Sequence, residues 1–117
     1  MAQYILFLHE PPASPAGMSP DEMQSVIQEY QAWSASIGKA GKLVGGHKLT
    51  DEGGRLLTGW GEEFSVTDGP WAETKEVIGG LFHISAADYG EAARLAASCP
   101  HLKYGGRIEL RRVDLVD

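Results

Sequence analysis

The residues most able to do chemistry lie in one run after the middle of the chain. It begins with Asp68-Gly69-Pro70 and continues through Trp71, Glu73, Thr74, Lys75 and Glu76. Asp68 has the residue type of a general base or a polar clamp at a cleft mouth. An aspartate before Gly-Pro is also an ordinary turn residue whose carboxylate binds following backbone N–H groups, and turn chemistry alone accounts for it. The whole run sets acids, a cation and an indole on an irregular segment, where sites concentrate. It suits a small polar or aromatic ligand. It suits equally an ion-paired hairpin or a seam between two copies.

Four histidines, His9, His47, His83 and His101, are spread along the chain without close metal-ligand spacing. His9, His47 and His83 come from segments that can neighbour one another, so a three-histidine metal site is geometrically open. Scattered histidines seldom form one, and no metal or other cofactor is expected. His83, or His9, is the histidine best placed for acid–base work, because strand residues can face an enclosed surface. Cys99 has only His101 as a local helper, and a small buried hydrophobe is its expected role. Tyr30 and Trp33 belong to the apolar stripe of a helix, with the Tyr30 hydroxyl reaching a polar group or the cleft. Arg107, Arg111 and Arg112 could hold one carboxylate or phosphate, or simply guard a strand edge.

These residues must be positioned by a small scaffold. The chain has 117 residues, 43% hydrophobic and 22% charged, as one globular domain spanning 1–117 would. Ten basic against sixteen acidic side chains leave a net charge of −6, which disfavours nucleic acid and anionic membranes. A lone cysteine gives no internal disulfide, and Tyr4 to Leu8 is too short to span a membrane. That segment also lacks the basic flank of a signal peptide, so a cytoplasmic location is expected.

Alternation predicts a strand over Gln3–His9, apolar on both faces. Ser19-Pro20-Asp21-Glu22 is a helix start with a capping box. Met23, Val26, Ile27, Tyr30, Trp33 and Ile37 then form one stripe up to Gly41. Strands are expected over Lys42–Leu49, Arg55–Thr58, Phe64–Thr67, Val77–Ser85 and Arg107–Val113. A second helix is expected after Ser85, with Ala92, Ala93, Leu95 and Ala96 buried and Pro100 as its stop. The order β-α-β-(β)-β-α-β predicts an α+β, ferredoxin-like βαββαβ subunit.

Two helices can cover only one face of such a sheet, yet the first strand is apolar on both. Leaving about three large apolar side chains in water forfeits roughly 1.5–3 kcal/mol each. A second copy is the simplest cover, so a homodimer is expected. Long loops at 10–18 and 50–63 folded beneath the sheet are the alternative.

Leu43-Val44-Gly45-Gly46, the stretch Val66-Thr67-Asp68-Gly69-Pro70-Trp71-Ala72-Glu73-Thr74-Lys75-Glu76, Gly79-Gly80-Leu81-Phe82, Cys99-Pro100 and Tyr104-Gly105-Gly106 together resemble the YCII-related superfamily, in particular its DGPF branch. Trp71 stands where that branch has Phe. The resemblance implies a dimeric α/β barrel without a settled activity. It offers three settings: a small-molecule-binding or regulatory domain, a lyase or hydrolase acting on a small cyclic substrate, or a companion of a sigma-factor-type transcription regulator. More distant relatives carry a His-Asp pair proposed as an active site, one of them a dehydrochlorinase. Tyr30 and Cys99 align with that pair here, so its mechanism does not carry over. The expected pocket, between sheet and helices, draws on Asp68, Trp71, Lys75, His83, His9 and Tyr30, with Asp68 and His83 as the candidate acid–base residues.

Overall fold

The computed structural model describes residues 1–11, 19–68 and 76–115. Its elements are β1 (Ala2–Glu10), α1 (Pro20–Lys39), β2 (Leu43–Lys48), β3 (Arg55–Thr58), β4 (Ser65–Asp68), β5 (Val77–Ala86), α2 (Tyr89–Ala97), α3 (Pro100–Lys103) and β6 (Arg107–Arg112). A short 3₁₀ turn at Gly61–Glu63 joins β3 to β4. Four strands form one antiparallel sheet in the order β2-β5-β1-β6, the ferredoxin-like arrangement with its first and third principal strands in the middle. Among the described residues, strands β3 and β4 pair only with each other, as a separate ribbon.

Each helix begins where the local chemistry directs. Ser19 Oγ accepts from the Glu22 amide at 3.2 Å, with Pro20 in the first turn, and α1 starts there. The second helix starts three residues later than Ser85: Asp88 is its cap, taking the Glu91 amide at 2.8 Å. Pro100 does not stop α2, which ends at Ala97. It opens α3 instead, since a missing N–H costs nothing in a first turn. Along α1 the apolar stripe is buried only at Trp33 and Ile37, whereas Met23 and Ile27 are exposed.

The core lies between the helices and one sheet face. Tyr4, Leu6 and Leu8 of β1 meet Ile84 of β5, with Ala92 and Ala96 of α2 above them. Trp33 stands edge-on to Phe82 at 4.8 Å, and its Nε1–H donates to Ser98 Oγ at 3.0 Å, tying α1 to the end of α2. Gly46 lets β2 pass this pair. A Cβ there would sit 2.6 Å from the Phe82 ring.

The alternate residues of β1 face the other way. Gln3, Ile5, Phe7 and His9 share that second face with Leu81, His83 and Ser85 of β5, and with Arg107, Glu109 and Arg111 of β6. Ile5, Phe7 and Leu81 are only partly buried, because every described helix packs on the opposite side. The β3–β4 ribbon does not shelter them. Among the described residues it packs extensively on no other element, and Trp60 at its tip is 92% exposed.

Truncation of Leu6, which has no exposed surface, should cost about 2–5 kcal/mol. Denaturant titration of Leu6→Ala checks this. A loss well under 1 kcal/mol would contradict the placement of the core.

Candidate functional site

The end of the sheet where β1 finishes and β5 and β6 begin brings together titratable side chains on both faces. On the helix side, Cys99 precedes α3 and Pro100 turns the chain, so His101 points inward and is 5% exposed. Its Nε2 lies 2.7 Å from the His9 carbonyl oxygen, and a carbonyl can only accept. Nε2 therefore carries the proton. Nδ1 is then an acceptor and takes the Tyr30 hydroxyl at 3.3 Å. The chain leaves α3 through Gly105, at φ 88°, and Gly106 runs directly beside the imidazole. A Cβ on Gly106 would lie 2.2 Å from Nε2, so only glycine admits the ring there.

Burial first, then the negative charges of Cys99, once its thiol ionises at high pH, and of Glu10 push the Tyr30 phenol well above its ordinary range. Burial also raises the Cys99 thiol, although the His101 backbone N–H opposes it. Cys99 is thus held as a neutral thiol, unlike an activated nucleophile.

On the open face, His9 uses its side chain as well as its carbonyl. Its Nε2 is 2.9 Å from Glu109 Oε1, and Arg111 Nη1 reaches Glu109 Oε2 at 3.3 Å. The register makes this pair: Phe7 lies opposite Glu109 and His9 opposite Arg107, so His9 and Glu109 are diagonal neighbours on one face. The imidazole first, then Arg111, hold the Glu109 carboxyl below its usual range. Arg107 pairs with Glu76, joining the start of β6 to the residue before β5. A cavity of about 380 Å³ opens beside them, lined by His9, Arg107, Ile108 and Glu109.

The residues expected to share a pocket are dispersed. His9 and His83 both belong to the open face, but His9 lies four positions along β1 from Ile5, the strand partner of His83. That is roughly 13 Å along the strand. His83 instead donates from Nε2 to Gln3 Oε1 at 2.7 Å. Tyr30 is on the helix side of the sheet. The Asp68 side chain is 96% exposed at the end of β4, 3.8 Å from Arg55, away from either cluster. Trp71 and Lys75 lie outside the described residues. No three His, Cys, Asp or Glu side chains among the described residues form a metal-ligand set.

Two residues escape a reading of the sequence. His101 looks like a weak helper of Cys99, and only Pro100 at a helix start followed by a Gly-Gly pair hints that it is tucked inward. Glu109 shows as a polar residue alternating with Ile108. Its pairing with His9 needs the strand register.

The strand order and one-sided helix layer define a ferredoxin-like α+β domain. The family model of the YCII-related domain matches residues 2–115, and the chain belongs to that family. No curated protein matches it. Tyr30 and Cys99, which the resemblance sets against the His-Asp pair of distant relatives, both adjoin His101: its Nδ1 takes the Tyr30 hydroxyl and its backbone N–H faces the Cys99 thiol. Among the described residues, no helix is long and apolar enough to cross a membrane.

Two outcomes follow. Gly106→Ala should drive His101 from its position and destabilise the protein by about 1–3 kcal/mol, as overpacking does. An unchanged denaturation midpoint would show that the ring does not need that space. The second concerns acid. Glu29, Glu76, Glu91 and Glu109 are held below their ordinary value of 4.5 by Lys103, Arg107, the Ala87 amide and His9 respectively. A lowered folded-state value contributes stability that is fully present above the unfolded value and is lost as pH falls through the folded one. The melting temperature should therefore drop once pH falls below about 4.5, and less steeply in Glu91→Gln.

Proposed function

We propose that the protein is a homodimeric small-molecule-binding domain of the DGPF type, whose open sheet face is both its dimer surface and the wall of its ligand site. One observation carries this reading. Ile5, Phe7 and Leu81 form an apolar centre that no described helix covers, and polar side chains border it: His9 at one end, Glu109 and Arg111 along the β6 side, and His83 and Gln3 toward the other end. A bare apolar patch ringed by polar groups is the surface of a binding protein. Two such faces brought together around a two-fold axis would exclude water from both and enclose the cavity at His9 between them.

The exposed apolar side chains of the β3–β4 ribbon, Leu56, Leu57, Trp60, Phe64 and Val66, support the same reading. A two-stranded ribbon is marginal in water without something to lie against. The DGPF assignment draws on the run from Val66 to Glu76 in the sequence.

Light scattering on a size-exclusion peak tests the proposal. The expected mass is twice the 12.6 kDa of one chain. Phe7→Lys should give a folded monomer, because it places a charge in the centre of the contact. A monomeric parent protein, or a Phe7→Lys variant that remains dimeric, would remove the open face from this role.

A further inference from the structure

His9 and Glu109 form a pair with a defined proton arrangement. A carboxylate only accepts, so His9 Nε2, at 2.9 Å, must carry the hydrogen. In the neutral ring Nδ1 is then a bare lone pair. It has no hydrogen-bond partner among the described residues. Glu109 is fixed at both oxygens, Oε1 by His9 and Oε2 by Arg111. A base oriented by a carboxylate that is itself oriented by a third group is the arrangement that activates an imidazole.

The surroundings define what could give up the proton. The cavity at His9 is bordered by Arg107, whose Nε and Nη2 are engaged by Glu76 while Nη1 keeps its two N–H donors. In a protein of net charge −6, an arginine at a cavity is a local seat for one small anion. The same face continues from His9 to Phe7 and Ile5, which suit a short apolar tail.

We propose that His9 and Glu109 form an acid–base site acting on a small 2-oxo carboxylic acid, a reading that rests on the open face being the ligand-binding surface. Arg107 Nη1 holds the carboxylate. His9 Nδ1 takes a proton from the carbon beside the keto group. The C–H bond breaks, its electron pair forms the C=C bond, and the carbonyl π pair moves to oxygen as an enolate. His9 becomes an imidazolium with Nε2–H still on Glu109, then returns the proton to the enolate oxygen, giving the enol, or to the carbon. Nothing is consumed. His9 is the catalytic residue, and Glu109 a positioning residue.

The test uses the full chain with 2-oxobutanoate in D₂O, following loss of its C3 proton signal by NMR. The protein should speed the exchange about 100-fold or more over its His9→Gln variant. Glu109→Gln should lower kcat with little change in KM, whereas Arg107→Leu should mainly raise KM. Added imidazole should restore exchange to His9→Ala, a result that a merely structural role for His9 does not give and that stands even if His9→Gln folds poorly. Exchange no faster than in buffer, or unchanged in His9→Gln, overturns the proposal. If exchange is absent while 2-oxobutanoate still shifts the Phe7 and Ile5 resonances of a dimeric protein, the acid–base inference falls and the binding reading stands. No shift and no exchange overturns the assignment of this substrate class, with the dimer judged separately by light scattering.

Discussion

Side chains on a strand alternate between two faces, and the helices of this chain can shelter only one of them. On β1 the alternation puts Tyr4, Leu6 and Leu8 beneath α1 and α2, and Gln3, Ile5, Phe7 and His9 on the opposite side. A shift of one residue in the pairing of β1 would exchange those sets and put His9 into the core. The register therefore decides the interior and the functional surface together. It also explains why the open face is apolar at its centre and polar at its ends: the strand interior must resist water on both sides, while its last residues leave the shelter of their neighbours.

His9 is where the two layers meet. Its carbonyl receives the Nε2–H of buried His101, and its own ring pairs with Glu109 across the sheet. His101 in turn receives the Tyr30 hydroxyl, so a helix, a short turn and two strands are tied through one residue. Every buried side-chain nitrogen and oxygen among the described residues has a partner. An imidazole placed in a core without partners would cost several times what a typical hydrogen bond returns. Gly106 is part of the same solution, since its missing side chain is the room that His101 occupies.

The ion pairs act by location more than by strength. Exposed pairs usually contribute less than about 1 kcal/mol. Glu76–Arg107 joins the start of β6 to the residue before β5, and Arg111–Glu109–His9 fixes the orientation of a ring. Each limits the positions available to a side chain that would otherwise sample several. Arg107 and Arg111, which in the sequence resemble a solvated basic edge, are both engaged by glutamates. Arg107 is only partly satisfied, which leaves donors at the cavity.

The fold was legible in the residues because its signals are local. The period of β1, the Ser19-Pro20 start of α1 and the glycine- and proline-marked turns each act within a few positions, and the alternation of elements then leaves one antiparallel arrangement. The starts of α2 and α3 are also local choices: several residues near Ser85 and Pro100 can cap or open a helix, and packing selects Asp88 and Pro100 among them. The family followed from motifs that span nearly the whole chain. The site was not legible in this way. Asp68 stands out in the sequence but is 96% exposed on a ribbon, while Glu109 and His101 carry no motif. They matter because residues 100 and 92 positions away, respectively, bring His9 to them. Contacts of that range depend on strand register and on the space left by Gly106, and only the folded chain supplies either.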